Sequence, residues 1–300
     1  MTGSPQLGFS FHPRWLSQTG SAEAFLRPLQ EAGLSAVEFT LHPADPDWEA
    51  FPPLIAECQR MGLRCHFHAP YMDPYNVAGF SGDMREEVEA LYRPAIALAK
   101  RFAVQNDGPT ALVVHGARAA NRSHAQLLQD TIAFMEWLLS QNAGLHVAVE
   151  NLPRHPPLVK IGTSHRDLVD IVEAVGTPDV GICWDLGHDV LLGATRPPNR
   201  AFLRHVTHVH VHDINAAGMD HYPLIYGRVP YRSWLRPLAA EGFDGCVTLE
   251  VSGHRIGHEG AERIRTMLVG SLHRLVAAIA TPSLPCETGG RKGEGAAAKP

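Results

Sequence analysis

Acidic and imidazole side chains recur at the ends of apolar runs in this 300-residue sequence. In VGICWDLGH, five mostly apolar residues from Val180 to Trp184 run into Asp185, and His188 follows three positions later. LHVAVE ends at Glu150, CVTLE at Glu250, LRCHFH at His68 and TALVVH at His115; HVTHVHVHD offers His210 or His212. Such runs read as strands buried on both faces. One strand-end carboxylate or histidine is more often a helix cap or a loop partner. Recurrence at six strand ends is different, because donors from six strands could converge on one rim. Carboxylate and imidazole donors without a thiolate suit a divalent cation, with Zn²⁺, Mn²⁺, Fe²⁺, Co²⁺ and Mg²⁺ all chemically compatible.

The elements between these residues alternate. Strands are expected at 7–11, 35–41, 63–68, 110–115, 145–150, 180–184, 205–211 and 246–250, from their apolar and β-branched content. Helical spacing is expected at 22–32, 48–61, 84–102, 123–141, 165–175, 231–241 and 261–280, with Asp83 and Ser164 as caps. The segment after Trp184 is broken by prolines and gives the weakest helix. No GxGxxG opens the chain, so this alternation favours a (β/α)8 TIM barrel over an open doubly wound sheet. Residues 1–280 are expected to be a single domain and residues 281–300, which lack periodicity, a disordered tail.

Catalytic groups of such a barrel project from the C-terminal strand ends. This makes Glu150, Asp185, His210 and Glu250 the expected metal set, with His68 and His115 as candidate additional ligands. Alternation puts His208, His210 and His212 on one face. They cannot all be ligands, so His210 is taken as the ligand, His212 as a neighbour at the rim, and Asp213 as a supporting partner or loop cap. His12 and His42 are divided between pocket lining and capping. His146, His205, His254, His258 and His273 are expected at the surface. Tyr71 could stack on a ring or pack. Arg154, His155, Lys160, Arg196, Arg200 and Arg228 could meet a phosphate, solvation being the default.

Composition excludes some classes. Hydrophobic residues are 45% and charged residues 19%, ordinary for a large globular core, and net charge is −5, with no basic excess toward nucleic acid or an anionic membrane. No run of 18 apolar residues occurs and MTGSPQLGF lacks a signal-peptide pattern. Five cysteines are scattered without a CxxC. A cytoplasmic location is expected.

HAPYMDPYN from His68, LVVHGA to His115, VAVENLP around Glu150 and VGICWDLGH resemble the xylose isomerase-like barrel superfamily (AP endonuclease family 2), as do HVHVHD around His210, DHYPLIYGR from Asp220 and VTLEVSG around Glu250. That superfamily joins sugar and sugar-phosphate isomerases and epimerases to endonuclease IV. The resemblance spans residues 7–280. Its epimerase-like branch implies one ion on Glu150, Asp185, His210 and Glu250. There the two glutamates exchange protons through a metal-stabilised enediolate, and His188 matches a substrate-contacting histidine. Its endonuclease IV-like branch implies three zinc ions, with His68, His115, His188 and His221 as the added ligands. In that branch the third ion also takes an Asp two residues before the histidine matching His221, and Met219 stands there. The usual Leu-Gly-Glu-Gly reads Leu224-Ile225-Tyr226-Gly227.

The expectation is a divalent-metal-dependent sugar or sugar-phosphate isomerase or epimerase, with Glu150, Glu250 and His188 catalytic, one ion, a small-molecule sugar substrate and no membrane partner. A zinc phosphodiesterase with two or three ions and a nucleic-acid partner is the alternative, and a non-catalytic metal-containing barrel the third reading. A homo-oligomer is compatible with all three.

Overall fold

The computed structural model describes residues 4–141 and 144–280; the tail expected at 281–300 lies outside the described residues. Eight strands form where apolar runs occur: β1 (Gln6–Ser10), β2 (Ala36–Thr40), β3 (Arg64–His68), β4 (Thr110–Val114), β5 (Leu145–Glu150), β6 (Val180–Asp185), β7 (Val206–Val211) and β8 (Cys246–Leu249). Each pairs in parallel with its neighbours in sequence, and β8 pairs with β1, closing the barrel. Helices α1 (Ala22–Glu31), α2 (Phe51–Arg60), α3 (Arg85–Ala103), α4 (His124–Ser140) and α5 (His165–Val175) follow β1 to β5. The sixth connection holds two short helices, α6 (Leu186–Leu191) and α7 (Arg200–Leu203), where one was expected. Pro197 and Pro198 separate them, and Asn199 starts α7 anew by accepting from the Phe202 amide. α8 (Tyr231–Ala240), α9 (Gly253–Ile256) and α10 (Ala261–Ile279) complete the chain. None of the described helices is long and apolar enough to cross a membrane.

Strand alternation divides the interior in two. Outward residues such as Phe39, Phe67, Ile182, Trp184, Val209 and Leu249 pack against the helices in one large apolar core. Trp184 stacks on Trp234 of α8 with ring centroids 6.0 Å apart. Inside the barrel Val113, Ala148 and Cys183 form a small apolar cluster. Glu38, His66, His208 and Thr248 are buried beside it, so the lumen is largely polar. Gly8 makes room there, since a Cβ would lie 2.7 Å from both Cys246 Sγ and Thr248 Oγ1.

Three local features depart from expectation. Asp83 does not cap α3: the N-cap is Met84, without a side-chain bond, and the preceding turn is held by buried Asp130, which accepts from the Gly79 and Ser81 amides. Trp48–Ala50 is a 3-10 turn leading into α2. The loop after β5 carries a two-residue strand, Val159–Lys160, that pairs antiparallel with Arg118–Ala119.

The long loop after β7 is organised by Asp213. One carboxylate accepts from the amides of Tyr226 (2.6 Å), Gly227 (2.7 Å), Arg228 (3.0 Å) and Ile214 (3.0 Å). Its expected role thus resolves to loop cap. Substituting Asp213→Ala strands several of these donors, so a loss of about 2–4 kcal/mol is expected in urea unfolding, with Asp213→Asn in between.

Candidate metal centre and its cavity

Glu150, Asp185, His210 and Glu250 each place one ligand atom within 4.8 Å of the others. The first three lie at or near the ends of β5, β6 and β7, and Glu250 directly follows β8. The barrel therefore brings together the four residues expected as the metal set. Burial raises the cost of charge on Glu150. His210 beside it, with hydrogen bonds from His115, His210 and His68, nevertheless holds its carboxyl well below the usual range. Glu250 is held low in the same way by His210 and His221. Burial works against charge on His210, but Glu38, Glu250 and Glu150 outweigh it and keep its pKa well above the ordinary value.

His68 and His115 converge on the same carboxylate. Glu150 Oε2 lies 3.2 Å from His68 Nε2 and 2.9 Å from His115 Nε2, while Oε1 is 3.1 Å from His210 Nδ1. His68 Nδ1 donates to the Ala69 carbonyl at 2.7 Å, which turns Nε2 toward Glu150. Burial pushes His115 down to about 4, with Glu150 offsetting only part of that. His68, His115 and Glu150 thus make a second group of donors within coordinating reach.

Asp185, His188, His212 and His221 make a third. Asp185 caps α6, accepting from the His188 amide at 2.6 Å, and His188 Nδ1 donates to the Asn151 carbonyl at 2.9 Å. His221 is the one non-glycine with positive φ (57°) among the described residues. Its Nδ1 is 3.1 Å from Asp220 Oδ1 and its Nε2 is 3.4 Å from Glu250 Oε2. Asp220 therefore holds the outer nitrogen of His221, and also Arg255 at 2.8 Å. Half-exposed Met219 adds no donor. His212 accepts the His221 amide at Nδ1 (3.0 Å), and its Nε2 lies 3.2 Å from Asp185 Oδ1. Nδ1 is thus engaged, while the buried Nε2 makes no hydrogen bond and faces Asp185 within this third group of donors. Gly187 permits this, because a Cβ there would be 2.0 Å from the His212 ring.

A cavity of about 440 Å³ opens over Glu250 and His221. His12 and His42 line it, and so does Tyr71. His12 also caps, accepting from the Arg14 amide at 3.1 Å while meeting Asp45 at 3.2 Å. Tyr71 packs on His115, with centroids 4.6 Å apart. Arg14, Trp15 and Arg255 are further wall residues not foreseen from the sequence. They arrive in the connections after β1 and β8, where no periodicity marks them. His254, expected at the surface, is exposed but sits on the cavity rim against Arg14 at 3.0 Å. None of Arg154, His155, Lys160, Arg196, Arg200 and Arg228 lines the cavity.

Two more residues escaped the sequence reading. Glu38 and His66 lie in mid-strand, paired in register and turned into the lumen. The available signal was a charge inside the apolar run AVEFT. His146, expected at the surface, is half-buried at the opposite mouth of the barrel beside His66 and His208.

The donor set fits a divalent cation. Three carboxylates and an imidazole converge, and Asp185 Oδ2 and Glu250 Oε2 are buried without a hydrogen-bond partner.

Comparison with known proteins agrees with this architecture. A Methanocaldococcus jannaschii protein, MJ1311, is 24% identical over 213 residues, covering 67% of this chain and 69% of its own. A D-tagatose 3-epimerase-like protein superposes with a TM-score of 0.61 at 19% identity, over 90% of this chain and 99% of that one. The D-allulose 3-epimerase of Methylomonas sp. gives 0.63 at 13% identity, over 92% and 98%. At these identities the superpositions establish the fold. The sequence itself matches, over residues 26–268, the family described as xylose isomerase-like TIM barrel. With a closed eight-stranded barrel whose strand ends meet in one cluster of donors, this chain belongs to the xylose isomerase-like TIM barrel family.

Proposed function

We propose that the protein is a divalent-metal-dependent isomerase or epimerase of a small sugar. The observation that carries this reading is Glu250, a wall residue of a monosaccharide-sized cavity and a member of the four-residue donor set. The sugar epimerases among the superposed structures support the same class. Glu150, Asp185, His210 and Glu250 would hold the ion. When bound, it supplies positive charge to a ketose carbonyl and hydroxyl, which makes the intervening C–H more acidic and favours the enediolate.

Glu250 is the base that faces the cavity. Held ionised, it takes the proton from the substrate carbon. Glu150, the second acid–base group of the expectation, has both oxygens engaged by histidines. His221, lining the cavity beside Glu250, stands on the same side as that base and can share its proton there, as an isomerisation needs. Inversion would still need Glu150 on the opposite face. His188 steadies the rim of the site through Asp185 and Asn151. The cavity favours a neutral substrate over a sugar phosphate, because Arg14 is neutralised by Asp45 and Arg255 by Asp220. Trp15 and Tyr71 offer apolar ring faces to a sugar.

One observation favours a second reading. Glu150 splits its oxygens between His210 on one side and His68 with His115 on the other, as a carboxylate bridging two ions would. Paired ions suit phosphodiester hydrolysis. Metal analysis of the purified protein separates the two. One ion per chain, exchangeable for Mn²⁺, is expected; two or three tightly held zinc ions with nicking of abasic-site DNA would replace the isomerase reading.

Two further outcomes follow from the site. Protein loaded with Mn²⁺ in D₂O should exchange the proton beside the carbonyl of a ketohexose, read by NMR. Glu250→Gln should slow that exchange about 10²–10⁴-fold, beyond what any loss of measured metal content explains. Metal binding must displace the proton that His210 retains through its raised pKa. Affinity should therefore rise with pH below that pKa, by about tenfold per unit for each proton released, as measured by chelator competition.

A further inference from the structure

Resting on the metal reading above, we infer that Glu38 is the positioning residue of the centre: it fixes His210 so that Nδ1, and not Nε2, is presented to the ion. The two nitrogens of His210 have different surroundings. Nδ1 lies 3.1 Å from Glu150 Oε1 and 3.2 Å from Glu250 Oε2, among the other donors. Nε2 points the opposite way, 3.0 and 3.2 Å from the two oxygens of Glu38. A carboxylate can only accept, so without an ion both nitrogens carry protons; an ion would take the place of the one on Nδ1, while Glu38 keeps the one on Nε2.

Glu38 is built for this and for little else. It is buried in mid-β2 and lines neither the cavity nor the opposite mouth of the barrel, so it meets no substrate. Strands β2 and β7 are not neighbours in the sheet, so the contact crosses the lumen. The carboxylate is braced from below by His208 Nε2 at 2.7 Å. His208 Nε2 is itself 3.1 Å from Thr248 Oγ1, two residues before Glu250. His66 packs edge-on against His208 with centroids 5.4 Å apart, and its own nitrogens are taken by Gln6 and the Ala111 amide. The acceptor below His210 is thus held by β7 and backed by β8, two of the elements that carry the metal donors.

The test is Glu38→Gln, which keeps the shape but weakens the acceptor and can turn an NH₂ toward His210. Zinc affinity is measured by chelator competition at a temperature where the metal-free variant is folded by circular dichroism. A 10–100-fold rise in Kd is expected, with an altered visible spectrum of the Co²⁺-loaded protein. A role confined to stability predicts a lower melting temperature with Kd and spectrum unchanged, and that result overturns the proposal. Should the variant not fold, ¹H–¹⁵N spectra of the zinc-loaded wild type decide. A protonated, slowly exchanging Nε2 on His210 is expected, and coordination through Nε2 overturns it. Wild-type protein that binds neither zinc nor Co²⁺ would instead refute the metal reading itself, which keeps the two failures distinct.

Discussion

Glu150 sits in a place where an isolated carboxylate could not stay ionised. It is 1% exposed, and transfer of a bare charge into such surroundings costs several kcal/mol. Three imidazoles from three strands remove that cost by donating to its two oxygens. Much else follows from this need. The strands must end in register so that His68, His115 and His210 reach one group, and the barrel closure supplies that register. Those same imidazoles must lose protons before they can donate lone pairs to a cation. The residues that neutralise the site without an ion are therefore those that could hold it with one.

The polar lumen is the complement of this arrangement. Barrels of this type usually fill their interior with layers of branched apolar side chains. Here the apolar filling includes only small or β-branched residues such as Val113, Ala148, Cys183, Ala36 and Cys246, and a column of Glu38, His66, His208 and Thr248 takes much of the space. Stability then rests on the outer core between strands and helices, where large aromatic residues concentrate. The lumen is released to orient donors. Gly8 and Gly187 show the same division: each yields volume so that a polar side chain can occupy a defined place.

The fold was legible because two periodicities alternate without interruption, and the rim was legible because strand ends coincide with Asp, Glu and His. What sequence could not locate was anything reached across the lumen or through a loop. Glu38 lies in mid-strand, and its partner is 172 positions away on a non-adjacent strand, so no local pattern announces it. Arg14 and Arg255 enter the cavity from non-periodic connections, where they pair with Asp45 and Asp220 from other loops. Asp83 looked like a cap by local spacing, yet Asp130 from a different helix holds that turn. A long-range carboxylate accepting two amides outweighs an exposed local candidate.

His221 shows how a departure from family pattern can be absorbed. The position that would bring an acidic ligand is Met219, and Asp220 is one residue too late to point into the cluster. It turns outward instead, pairing with the far nitrogen of His221 and with Arg255. His221 accepts a left-handed backbone, of order 1–3 kcal/mol in cost, and its amide bonds His212. Asp220 thus orients His221 from outside the cluster, and the His221 amide occupies one nitrogen of His212. Both contacts fix His221 on the side of the site that faces the cavity. Fixed positions beside the cavity are what the proposed proton transfer requires, because the groups that take and return a proton must hold still relative to the substrate carbon.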